Sequence, residues 1–161
     1  MIGIELREVV DLWAATLLAD ASLAAFTQAE FSADPYVRVG LNEKVPIKES
    51  NAPFVQIVPL GSSQGLTEGQ YNWSIGLDLG IVEGTFEDYQ SNGRVEQKAF
   101  YLVDQYQQLA REALEGISEK NLVLDSWTID FIYDYAPLMV CHVMAETRAH
   151  NTLGVLGVPL G

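Results

Sequence analysis

A chain of 161 residues, 48% apolar and 19% charged, is long enough for one core-burying domain and too apolar for intrinsic disorder. Its 22 acidic and 9 basic residues give a formal charge of −13, which opposes approach to nucleic acid or to an anionic membrane. A single cysteine, Cys141, excludes an internal disulfide, and no uncharged apolar run approaches the roughly 20 residues of a membrane span, so a soluble protein without a secretory signal is expected.

In chain order, Leu6, Val9, Val10, Trp13 and Leu17 recur at helical spacing and predict an amphipathic helix over about 4–19. Asp20 is placed to cap a second, short helix carrying Leu23, Ala24 and Phe26, and Pro35 forbids its continuation. Residues 36–40 alternate as a short strand, 41–53 read as a polar surface connection, and 54–60 return to strand texture. The glycine- and serine-rich stretch 61–70 is expected to be a mobile loop leading into the longest strand.

That strand spans 71–82. Tyr71, Trp73, Ile75, Leu77, Leu79 and Ile81 alternate with Asn72, Ser74, Gly76, Asp78, Gly80 and Val82, giving one heavy and one small face. Each heavy side chain contributes roughly 1.5–3 kcal/mol if buried, and a one-residue slip would expose all six, so register is strongly specified. The small face, with two glycines, lets another backbone or a subunit approach closely.

A second mobile, polar excursion is expected over 83–94, including the turn signal Asn92-Gly93. An amphipathic helix is predicted from about Val95 to Glu115, with Gly116 placed to end it. Trp127, Ile129, Phe131, Tyr133 and Tyr135 then alternate with Thr128, Asp130, Ile132 and Asp134, until Ala136-Pro137 breaks the ladder. The last strand, 138–147, is apolar on both faces. Leu138, Val140 and Met144 lie on one and Met139, Cys141, Val143 and Ala145 on the other, so cover is expected from a helix on one side and from a neighbouring subunit on the other. The tail 151–161 has no charged side chain and is expected to dock on its own sheet or on a partner as an added strand. Residues 1–161 therefore read as one α+β domain, a mainly antiparallel sheet packed by an N-terminal helix and one long helix.

Specific chemical signatures are missing. His142 and His150, with one cysteine, do not form a zinc set, and His142 reads as a hydrogen-bonded core or interface residue. Asp130 and Asp134, placed on one face of one strand, would lie roughly 13 Å apart, beyond the about 5–9.5 Å of glycosidase carboxyl pairs. The cluster Glu83, Glu87 and Asp88 lacks a calcium-loop pattern and reads as a solvated loop. Trp13, Trp73 and Trp127 read as core. No catalytic, cofactor-binding or metal-binding residue is assigned. A small acidic enzyme using Asp130, His142 or Glu87-Asp88 is the alternative, and it requires these groups to converge in a pocket.

The order helix, short helix, strand, loop, strand, loop, strand, loop, long helix, strand, strand carries a resemblance. Together with Leu17-Leu18-Ala19-Asp20-Ala21-Ser22-Leu23, Asp34-Pro35-Tyr36-Val37-Arg38-Val39 and Ala52-Pro53-Phe54-Val55-Gln56-Ile57, it resembles the tail completion or tail terminator proteins of long-tailed bacteriophages and prophages. The resemblance implies a non-enzymatic virion subunit, assembled in the bacterial cytoplasm, that forms a ring, typically a hexamer. The ring caps the tail tube and joins it to the head, with itself, the tube protein and head-tail connector proteins as partners. A tail tube or connector subunit and a monomeric adaptor are the alternatives. The residues expected at assembly contacts are Glu83, Phe86, Glu87, Asp88, Tyr89, Met139, Cys141 and Val143.

Overall fold

The computed structural model describes residues 5–64 and 70–150. Three helices, α1 (Leu6–Ala19), α2 (Ala21–Phe31) and α3 (Lys98–Glu115), pack on a five-stranded sheet. The strands are β1 (Tyr36–Val39), β2 (Phe54–Gln64), β3 (Gln70–Val82), β6 (Leu122–Tyr135) and β7 (Leu138–His150), in the spatial order β1-β2-β3-β7-β6. Only the β1–β2 pairing is parallel, so the chain has the α+β, mainly antiparallel architecture expected of its sequence. A separate hairpin, β4 (Asp88–Ser91) and β5 (Arg94–Gln97), stands beside the start of α3.

The helices form where the periodicity places them. Val9, Val10, Trp13 and Leu17 are the buried stripe of α1. Asp20 caps α2, its carboxylate accepting the Leu23 N–H at 2.8 Å. Ala99, Leu102, Val103, Tyr106, Ala110 and Leu114 are the buried stripe of α3, and the Gly116 N–H closes the helix on the Glu112 carbonyl.

These stripes cover one face of the sheet. On β3 it carries Trp73, Ile75, Leu77, Leu79 and Ile81, and on β7 Met139, Cys141, Val143 and Ala145, all buried. Trp127 of β6 joins this side, its indole N–H donating to the Gln107 amide oxygen of α3 at 2.8 Å, which also satisfies that buried glutamine.

Four expectations are corrected. Val95 does not begin the long helix: residues 94–97 form β5, and α3 starts at Lys98. Residues 88–91 are likewise strand, because Asn92 and Gly93, with φ of 52° and 75°, make the two-residue turn whose twist suits a hairpin. The stretch 61–70 is also partly sheet, β2 running to Gln64 and β3 starting at Gln70; its centre, 65–69, and the tail 151–161 lie outside the described residues.

The fourth correction concerns β6. Its register against β7 shifts twice, at Asp125 and again at Asp130. Each extra residue reverses the alternation. Trp127 and Ile129 pair with Ala145 and Val143 on the helix side, whereas Phe131, Tyr133 and Tyr135 pair with His142, Val140 and Leu138 on the other side. The five aromatic and aliphatic residues expected on one face are split between two.

Gly80 is required by packing. A Cβ there would lie 2.2 Å from Cζ of Phe54, whose buried ring crosses the strand at that point. At Gly76 the nearest atom, Cδ1 of Leu60, is 3.5 Å from the same construction. Gly80→Ala is expected to destabilise the fold by about 1–3 kcal/mol in urea denaturation, with part recovered by adding Phe54→Leu, whereas Gly76→Ala is expected to be neutral or slightly stabilising.

Candidate functional site: two exposed apolar surfaces

The sheet face away from the helices is covered only at the β1–β2 end. There residues 40–48 fold over Gln56, whose side-chain amide donates to the Gly40 carbonyl, and Arg38 holds that segment through the Val45 and Asn42 carbonyls. Beyond the Phe54 ring over Gly80, the same side of β7 and β6 carries partly exposed and exposed residues, and this side of the sheet is here called the open face.

A ladder of rings crosses the open face. Phe131 and Tyr133 have centroids 4.3 Å apart, Tyr133 and Tyr135 5.5 Å, and the His142 imidazole lies stacked on Phe131 at 4.7 Å. Phe131, Tyr133 and Tyr135 are 38%, 41% and 62% exposed. Leu60, half exposed at the β2 irregularity, and His142 flank the bare backbone of Gly76. Asp78 accepts a hydrogen bond from Nδ1 of His142 at 2.5 Å. Burial, then the charges of Tyr135, Asp78 and Asp130, hold the Tyr133 phenol above its usual range.

The second exposed surface is the arm made by the β4–β5 hairpin and the first turn of α3. Phe86, Tyr89, Val95, Phe100 and Tyr101 are exposed there, with Tyr89 and Tyr101 edge to face at 5.4 Å. The arm is fastened at its base. Lys98 reaches Glu83 at 3.4 Å and Glu87 at 3.2 Å, and its backbone N–H donates to the Glu87 carbonyl. Glu83 is buried, which pushes its pKa up, but the Thr85 hydroxyl and N–H together with Lys98 outweigh burial and hold it below the ordinary carboxylate value. The Lys98 ammonium is held above its ordinary value, first by its hydrogen bond to Glu87, against partial desolvation, and then by Glu83.

The residues expected at assembly contacts therefore separate. Phe86, Glu87, Asp88 and Tyr89 lie on the arm surface. Glu83 is the buried anchor beneath it. Met139, Cys141 and Val143 are corrected: they belong to the internal core, because their side of β7 is the helix-covered side. The Cys141 thiol is pushed up to about 12 by burial, then by Asp104 and Asp78, which leaves it unreactive. The other side of β7, with Leu138, Val140 and Met144, is the partly exposed one. The aromatic ladder escaped the sequence reading because two bulge residues inside one apparently regular strand changed which residues face outward.

Of the groups weighed for catalysis, Asp130 is the bulge residue beside the Phe131–His142 pair, and Glu87 lies apart from them in the arm. His142 is bonded to Asp78 on the open face, Glu87 is paired with Lys98 in the arm, and Asp134 accepts from Gln97 and from the Ala136 N–H. A cleft of about 710 Å³ between α2, the 49–52 turn and the arm base is lined by Glu30, Glu49, Glu83 and Lys98 among others, and by neither Asp130 nor His142. Among the described residues no cluster of three or more His, Cys, Asp or Glu is arranged to hold a metal ion, and no single helix is long and apolar enough to cross a membrane. Comparison of the sequence with protein-family models and with curated proteins finds no match.

Removing the Lys98 charge tests the arm anchor. Lys98→Met is expected to lower the thermal midpoint at pH 7, because Glu83 then stays buried without its cation. A carboxyl whose folded pKa is depressed stabilises above its unfolded value, near 4.5, and loses that contribution as pH falls through the lower folded value. The gap between wild type and variant should therefore narrow as the pH is taken below about 4.5, measured by calorimetry across a pH series.

Proposed function

We propose that this chain is a structural subunit of a long-tailed phage or prophage virion, a tail terminator or completion protein that forms a ring, caps the tail tube and joins it to the head. The reading assigns it no catalytic role. The observation that supports it is the presence of exposed aromatic residues on both the open sheet face and the arm of one small acidic chain. Isolated exposed apolar residues are ordinary, but contiguous aromatic groups of this kind mark protein contact surfaces.

Two surfaces suit a subunit that must meet its own copies sideways and different proteins along the tail axis. In this reading the arm, which carries the exposed Phe86 and Val95, makes the contacts between copies. The open face meets a different virion protein. The tail tube, connector and adaptor alternatives share the surfaces and differ in stoichiometry.

Light scattering over a concentration series tests the reading. A mass near six times 17.8 kDa, or a reversible rise towards it, is expected. Phe86→Ser with Val95→Asp, both about two-thirds exposed and so inexpensive for folding, is expected to hold the protein at monomer mass with unchanged circular dichroism. A wild-type chain that stays monomeric at every concentration and does not sediment with phage tail tubes would contradict the proposal.

A further inference from the structure

Resting on the docking role just proposed, we infer that the open face takes a basic segment of the neighbouring virion protein, an arginine guanidinium lying over the Phe131–Tyr133–Tyr135 ladder with Asp78 and Asp130 as its counter-charges. The occupant is a cationic peptide, and charge complementarity selects it. The chain carries −13, so a second copy laid on this face meets like charge, whereas a basic segment is drawn to it.

The local groups match a guanidinium in kind. Three exposed rings in contact offer the π faces on which a planar cation stacks. Asp130, the exposed bulge residue immediately before Phe131, and Asp78, across β7 on β3, supply carboxylates at the ladder. Burial first, then Tyr135, and then these two carboxylates hold the Tyr133 phenol above its ordinary value. Asp78 is engaged by the His142 ring and by no lysine or arginine in the described contacts. By contrast Asp125, the other bulge residue, is paired with Arg148 at 2.7 Å.

The backbone decides how the segment lies. β6 is the edge strand, and a regular edge would invite a partner to add as another strand. Its two bulges interrupt that edge at Asp125 and Asp130, so the occupant crosses the face instead. Gly76 leaves a shallow floor between Leu60 and His142 for an apolar side chain beside the arginine.

The probe is a capped, fluorescein-labelled hexapeptide of alternating arginine and leucine, measured by anisotropy against the full-length protein, with a citrulline-for-arginine peptide as the uncharged isostere. The arginine peptide is expected to bind about tenfold or more tightly than the citrulline one. Tyr133→Leu with Asp130→Asn is expected to abolish that preference, and Glu43→Gln, a charge removed from the distant 40–48 segment, to preserve it. Equal weakening by Glu43→Gln would show attraction to net charge alone and overturn the inference, as would equal binding of the two peptides. A lower self-association mass for the Tyr133/Asp130 variant would show that a second copy occupies the face and would overturn it as well. Selective peptide binding by a chain that never associates with itself would instead uphold the inference and refute the ring.

Discussion

Trp73, Ile75, Leu77, Leu79 and Ile81 on β3, beside Met139, Cys141 and Val143 on β7, have one place to go, and α1 and α3 lie over them. At roughly 1.5–3 kcal/mol per large side chain, no other register of these two strands competes. Everything else is referred to that layer. β2 joins with Val55 and Ile57 facing the helices, and the small residues of β3 are then forced outward. Phe54 can cross the strand only because Gly80 has no side chain to meet it.

The edge strand obeys the same constraint by a different route. β6 has to deliver Trp127 to Gln107 under α3 and still close a two-residue turn at 136–137. Two inserted aspartates achieve this by reversing the alternation twice, and the rings beyond the second insertion emerge on the side without helices. The aromatic ladder is thus a product of register. The same bulges blunt the edge against indiscriminate strand pairing, so the strand that exposes the ladder is also protected from aggregation through its backbone.

Much of this was legible in the sequence because it follows from period. The helical stripe of α3 and the two-residue alternation of β3 are strong signals, and Asp20 as a cap is a local one. The hairpin 88–97 was half visible in Asn92-Gly93, but Val95 also fits a helical stripe, and only the pairing with Gln90 resolves which pattern it serves. The bulges were illegible, since an inserted aspartate in an alternating strand looks like an ordinary outward-facing residue. The error at Met139, Cys141 and Val143 had the same origin: two apolar faces were seen on β7, but the sequence does not label which one the helices take.

The function proposed here is therefore carried by surfaces rather than by reactive groups, and those surfaces must change their exposure on assembly. Hydroxyl-radical footprinting of the full-length protein, free in dilute solution and incorporated in virion tails, measures that change residue by residue. The account predicts that Phe131, Tyr133, Tyr135 and the arm residues Phe86 and Tyr101 are modified in the free chain and protected in the particle. Rings on the open face that are unreactive in the free chain, or equally reactive in both states, would contradict it.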